Sequence, residues 1–451
     1  MSAGPWALAA AGGVAVAWLS AQAPLVVLAC AAALLTLWAM WALPWVALPL
    51  LAVGLTFDDL YFSVGFALLG AGDVATFAFL GMWALGRLRR RRPLRLPEGW
   101  WLLFVFFGLV LIGLVLGPRP EGVLGVLSRL FTQLILVCAI ADEARDLRRI
   151  EQAMVILIIG GVIHAFFAFY LDNANARLTG IPGEPNSLGS ALGVALALGM
   201  AHFKYGAALG WRQWLLTAGI AFTALALVFT ISRGSYISVA AAGLWLFQRY
   251  WRRLVVVAAL LLGAFLIAEW IDPDRFNFIL RRLEFADQSV DNRFQVLLNA
   301  LRVIEARPLF GIGYGQFSYI SEILPVEAEA GRSPHNFYVG LTASTGLLAA
   351  GAFFLFIWVQ LTRLWREVGH AARVELPRWR ARRAAGSTPW RVIMGEAMQA
   401  AMIFQSASLL FRGLKRSPDW APLGLCCALY LCLLERRRAE EGAPAQRGGD
   451  V

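Results

Sequence analysis

The sequence predicts an all-α polytopic membrane protein of about 12–14 transmembrane helices, with one long outer loop containing short helices. Three observations predict it. Hydrophobic residues make up 59% of the 451 positions and charged residues only 15%, with a mean hydropathy of +0.65. A soluble chain of this length could not cover so much apolar surface. Apolar runs long enough to cross a bilayer recur along the chain. None of them alternates with a period of two, and lipid leaves no water to satisfy open backbone groups, so helices are favoured over a barrel.

The runs fall near residues 5–20, 23–39, 43–57, 63–86, 99–117, 121–140, 150–171, 187–203, 211–231, 235–249, 253–270, 335–361, 391–411 and 419–435. The first three are short. The opening MSAGPWALAAAGGVAVAWLS has no basic leader and reads as a first membrane helix rather than a cleaved signal. Orientation follows from the loops. RLRRRRPLR (87–95) carries six arginines, and the stretch from Arg363 to Arg391 carries eight arginines against two glutamates. QRYWRR (248–253) and ERRR (435–438) add two further basic clusters. If successive runs alternate sides, all four clusters share one face, expected to be cytoplasmic together with both termini. The net charge of +11 is therefore read as topology, not as a nucleic-acid surface.

The opposite, outer face receives DNANARLTGIPGEPNS (172–187), the turn ISRGSY (231–236) and the long loop 272–334. The chain thus divides into N-terminal transmembrane helices (1–171), a central region (172–361) and a basic cytoplasmic loop (362–390). C-terminal transmembrane helices (391–435) and a disordered tail (436–451) complete it. Within the long loop, Asp291 reads as an N-cap, and Phe294, Leu297, Leu298, Leu301 and Ile304 follow helical spacing until Pro308. GIGYGQF (311–317) lacks the strand and the GK[ST] of a phosphate loop and reads as a turn. No repeat of 20–50 residues is visible.

Arginines on the outer face run against the topology rule. Arg177, Arg233 and Arg293 stand there beside membrane runs, and Arg233 sits in a tight turn between two of them. Charge near the hydrocarbon boundary is costly unless partnered or wet. Each arginine could snorkel to headgroups or pair with a carboxylate. Together they could equally form an electropositive pocket, because a guanidinium suits bidentate contact with phosphate. His335 is one of only four histidines and opens the run after the long loop. It reads either as a cap or as a general base, for which an imidazole suits neutral pH.

His164 lies mid-run and reads as a packed neutral histidine; His202 and His370 carry no partner signal. Asp73 and Glu396 interrupt apolar runs and are either functional intramembrane acids or partnered structural ones. The five cysteines lie in apolar runs without a CxxC, and no His/Asp/Glu spacing marks a metal site.

The four segments RLTGIPGEPNSLGSAL (177–192), ISRGSYISV (231–239), NRFQVLLNALRVIEARPLFGIGYGQF (292–317) and HNFYVGLTASTGLL (335–348) occur in an order that resembles the O-antigen ligase family of bacterial envelope glycosyltransferases. The resemblance covers roughly residues 175–360, and some O-antigen polymerases and protein O-oligosaccharyltransferases share it. It implies a GT-C-like membrane glycosyltransferase of the bacterial inner membrane, without cofactor or metal. Its donor would be a glycan on undecaprenyl diphosphate and its acceptor lipid A-core on the periplasmic side. On that reading Arg177, Arg233 and Arg293 hold the diphosphate and His335 takes the acceptor proton. Asn186 supports the site, and Asn336 either orients His335 or caps its helix. A polymerase of the same family, and a transporter relying on Asp73 and Glu396, are the rival expectations.

Overall fold

The computed structural model describes residues 38, 46–58, 60–64, 67–90, 93–117, 123–172, 177–205, 211–248, 288–317, 336–381, 389–410 and 417–442, with scattered positions between 252 and 273. Among these residues it contains twelve helices and one hairpin. They are α1 (Ala47–Thr56), α2 (Ala71–Arg90), α3 (Trp101–Val115), α4 (Val123–Glu143), α5 (Leu147–Leu171) and α6 (Pro185–Tyr205). There follow α7 (Trp211–Thr230), α8 (Arg233–Phe247), α9 (Gln288–Ala306), α10 (Phe337–Ala381), α11 (Trp390–Ser408) and α12 (Ser417–Gly442). The all-α polytopic architecture holds. Leu147–Leu171, Pro185–Tyr205, Gln213–Thr230 and Phe337–Trp379 are long and apolar enough to cross a membrane. The expected run at 5–20, half of 253–270, nearly all of 23–39, most of the loop 272–334 and the last residues of the tail lie outside the described residues.

The helices start and stop where local chemistry directs. Asp146 caps α5 by accepting the amide of Arg148, and Pro185 opens α6, where its missing N–H costs nothing. α6 is the most enclosed span and packs against α5, α7, α8 and α11. Its glycines and alanines allow that approach, which matters because apolar faces gain little by leaving lipid for one another. On the outside of the bundle Phe104, Phe166, Leu215, Leu244 and Trp358 stay exposed on five different helices, as a lipid-facing surface requires.

The basic ends of the helices meet at one end of the bundle. Asp142 accepts from Trp83, from the amide of Arg95 and from Arg145, and pairs with Arg87 at 3.4 Å. Lys204 pairs with Glu396 at 2.7 Å, and Tyr205 donates to the same carboxylate at 3.0 Å. Glu396, left open in sequence, is therefore a partnered acid between α6 and α11.

Four expectations change. The run 63–86 does not begin as helix: β1 (Tyr61–Val64) and β2 (Ala67–Gly70) form an antiparallel hairpin first. Asp73 consequently lies in the first turn of α2, where it accepts the amide of Gly70 at 3.2 Å, and does not interrupt a span. The expected cytoplasmic loop is helical as far as Ala381, because α10 continues well past its apolar part. The tail is helical to Gly442, with Arg436–Glu440 and Arg437–Glu441 pairs at helical spacing.

The largest departure concerns the run 335–361. α10 is broken at Gly346, whose φ of 79° and ψ of 169° lie outside any helix. The rings of Phe337 and Phe353 are 6.0 Å apart, and those of Tyr338 and Phe354 5.4 Å. A straight helix would separate residues sixteen apart by about 24 Å. The segment 337–345 therefore folds back alongside the segment that follows Gly346.

The freed backbone groups at this break are taken by the turn after α9. Ala343 O accepts from Ile312 N at 3.2 Å, Ser344 O from Gly313 N at 2.9 Å, and Leu347 N donates to Pro308 O at 2.7 Å. Non-helical backbone at membrane depth is tolerated where protein satisfies it in this way. A β-carbon on Gly346 would lie 2.1 Å from Leu309 O, so this contact admits glycine alone.

Candidate functional site

The described parts of the segments expected on the outer face gather at the end of the bundle opposite the ion pairs. The first is the loop after α5. Asp172 accepts the amides of Thr179 and Gly180, each at 2.6 Å, and the Thr179 hydroxyl at 3.0 Å. This folds the loop back so that Leu178 N donates to Phe229 O at 3.0 Å. Arg177 then reaches the α7–α8 turn, with Nε donating to Thr230 O at 3.1 Å and Nη2 to Ile231 O at 3.2 Å. Ile231 has a φ of +54° and is the one non-glycine residue with positive φ among those described. Ser232 follows as the N-cap, and Arg233 is the first residue of α8, partly buried.

A thread of neutral polar side chains leaves this turn. Ser232 Oγ donates to Asn186 Oδ1 at 3.2 Å and lies 2.9 Å from Ser235 Oγ. Asn186 Nδ2 donates to Glu184 at 3.3 Å, and Ser187 to the same carboxylate at 2.8 Å. One turn along α6, Ser190 Oγ lies 3.4 Å from Ser408 Oγ at the end of α11. The next residue, Leu409, accepts the amide of Phe337 at 2.8 Å, while Tyr338 donates its hydroxyl to Ser406 O at 2.9 Å. The arginine turn and the histidine–asparagine motif are thus joined by short contacts through α6 and α11.

Asn336 caps α10: its Oδ1 accepts the amide of Val339 at 3.1 Å. His335 itself lies outside the described residues. Arg293 is on α9, but its side chain lies outside the described residues too. α9 packs Val296, Ala300 and Val303 against Ala343, so it rests on the folded-back part of α10. The stripe expected from sequence is only partly the packed one. Phe294 and Leu301 face outward because the smaller residues fit the close approach.

Beside Phe337 the structure has a cavity of about 210 Å³ between α10, the end of α11 and the start of α12. Its wall is aromatic, with Phe337, Tyr338, Phe353, Phe354 and Trp420, and Asp419 adds a carboxylate. Gln405 donates to the Asp419 carbonyl at 2.8 Å and fixes that helix start. Tyr314, in the turn that covers the Gly346 break, has its phenol pKa raised, chiefly by burial; Arg129 opposes the shift and Asp419 adds to it. Sequence reading missed Asp419 and Arg129. Asp419 stands at the edge of the apolar run 419–435 and Arg129 inside the run 121–140, and neither was singled out.

The remaining candidates stand apart. His164 is buried in α5 and bonds through its ring to Thr56 O, as expected of a packed histidine. Among the described residues no three His, Cys, Asp or Glu side chains are grouped to hold a metal.

Residues 218–355 match the family model described as O-antigen ligase. The match takes in the ISRGSY turn, α8, α9, the glycine turn and the break in α10. No curated protein matches the chain.

Proposed function

We propose that the chain is a member of the O-antigen ligase family, whose model its residues 218–355 match, and that it transfers a glycan from undecaprenyl diphosphate to lipid A-core in lipopolysaccharide biosynthesis. The single observation that carries this reading is the junction at one end of the bundle. The arginine turn at 231–233 is tied through Ser232 and Asn186 to α6, and α6 at Ser190 and the start of α10, next to His335 in the chain, both meet the end of α11.

In the proposed step His335 accepts the proton of the attacking acceptor hydroxyl. The acceptor oxygen forms its bond to the anomeric carbon as the bond from that carbon to the phosphate oxygen breaks. The electron pair leaves on the diphosphate. Arg233 and Arg293 hold and stabilise that charge by contact, with Arg177 behind the turn adding positive potential, in place of a metal ion. Asn186 supports the turn through Ser232, and Asn336 supports His335 by fixing the start of its helix. Holding two lipid-borne reactants at one membrane surface adds a proximity contribution. The site is read as periplasmic, with both termini cytoplasmic, in the bacterial inner membrane; the arginine-rich opposite end supports that orientation.

A transporter has less support, since Asp73 is a helix cap and Glu396 an ion-pair partner. A polymerase shares the family motifs and is separated by experiment. In cells lacking the protein, gel electrophoresis of lipopolysaccharide should show lipid A-core bare of O-antigen while undecaprenyl-linked glycan accumulates. Core capped by a single repeat would identify a polymerase instead. A normal ladder would sink both readings.

A further inference from the structure

We propose that Arg177 is a positioning residue, whose guanidinium bridges two carbonyls to hold Ile231 in the left-handed conformation that presents Arg233 at the start of α8. This rests on the reading of Arg233 as a diphosphate contact.

The two carbonyls are consecutive, and Nε and Nη2 reach one each at 3.1 and 3.2 Å. Between them the chain turns through Ile231, a β-branched residue with φ +54°. Such a residue avoids this region unless its surroundings enforce it. The enforcement is visible. Leu178 N holds Phe229 O, the Thr230 hydroxyl donates to Leu227 O at 2.7 Å, and the Tyr236 hydroxyl donates to Val228 O. The last carbonyls of α7, which its own helix cannot satisfy, are thereby filled. Arg177 takes the two nearest the turn.

Ile231 is itself buried in the main hydrophobic core, so its side chain also anchors the turn. With the turn fixed, Ser232 points its hydroxyl at Asn186 and Arg233 begins the next helix within two residues. A lysine could satisfy one carbonyl but not bridge both, since an ammonium presents a point and a guanidinium a fork.

The test is a double-substitution cycle on the full-length protein in lipid nanodiscs. Arg177→Ala, Ile231→Gly, the pair, and Arg177→Lys are compared by thermal unfolding and by glycan transfer from a lipid-linked donor. Arg177→Ala should lower the melting temperature and reduce transfer about 30-fold or more, in line with loss of a group that aligns a charge-stabilising donor. Arg177→Lys should stay low despite keeping the charge. Glycine adopts positive φ freely, so Arg177→Ala placed on Ile231→Gly should cost far less, with transfer within about threefold of Ile231→Gly alone.

Equal loss in both backgrounds would overturn the proposal. So would restored stability without restored transfer, or full rescue by lysine, because each marks Arg177 as a direct charge on the donor. If the wild type transfers no lipid-linked glycan, the functional reading fails. The melting-temperature cycle then still decides whether Arg177 holds the turn.

Discussion

At the basic end of the bundle Arg391 donates to Glu375 and Glu440, Arg437 pairs with Glu367 at 3.2 Å and Arg95 with Glu435 at 2.8 Å. At the opposite end Arg177 and Arg307 donate to main-chain carbonyls, of Thr230 and Ile231 and of Leu116. One end fixes helices by charge on charge. The other fixes them by arginine on backbone, serine on asparagine, and a glycine break filled by a turn. The difference suits their tasks. Paired arginines hold helix ends, whereas the proposed site would use guanidinium groups set by main-chain carbonyls to meet an anionic leaving group.

Substitution of the proposed catalytic groups should therefore cost transfer first, whereas substitution of residues that hold ion pairs or backbone turns should cost stability. The largest effect is expected at His335→Ala, which should reduce transfer by about 10²–10⁴-fold, the usual contribution of a general base, with unchanged thermal unfolding. Near-full activity would remove His335 from its role. Glu396→Leu at the other end should cost about 3–5 kcal/mol of stability, because it takes the carboxylate of the ion pair away from the buried Lys204 ammonium. Restoring an apolar pair with Lys204→Met should recover most of that loss, as chemical denaturation can show, and transfer per folded molecule should not change.

Arg233→Ala should reduce transfer by about 10²–10³-fold at normal expression, as loss of one charge-stabilising donor does. Gly346→Ala should destabilise by about 2–4 kcal/mol, combining a left-handed backbone with a forced contact on Leu309 O. Near-wild-type unfolding of that variant would mean the break in α10 is not held by the turn. The smallest effect belongs to Glu98→Gln. Its partner Arg363 is 38% exposed and Glu98 itself 49%, so less than about 1 kcal/mol should be lost.

How much of this was legible in the sequence follows from what each feature depends on. The spans were readable because hydropathy and loop arginines report directly on the bilayer. The runs 150–171, 187–203 and 211–231 fall within a few residues of α5, α6 and α7. Arg177, Arg233, Arg293 and His335 stood out as basic residues near apolar runs, on the face expected to be the outer one. The contacts that join α6, the end of α11 and the start of α10 were not readable, because Ser190–Ser408 and Phe337–Leu409 link residues far apart in sequence.

The fold-back of α10 was hidden for a different reason. Residues 335–361 are apolar throughout, and hydropathy cannot distinguish one long helix from two short ones lying side by side. Gly346 was the available signal. It becomes informative only once the Pro-Leu-Phe-Gly turn is known to fill the break. The hairpin at 61–70 was lost in the same way, inside a run whose composition alone reads as a span.

The central claim is tested most directly by reconstitution. Purified protein in nanodiscs is given undecaprenyl-diphosphate-linked glycan and lipid A-core with a chelator present, and the products are separated on a gel. The account predicts that lipid A-core gains the glycan and undecaprenyl diphosphate is released, and that both are lost in Arg233→Ala. Glycan added only to a second lipid-linked repeat, or no consumption of donor at all, would contradict it.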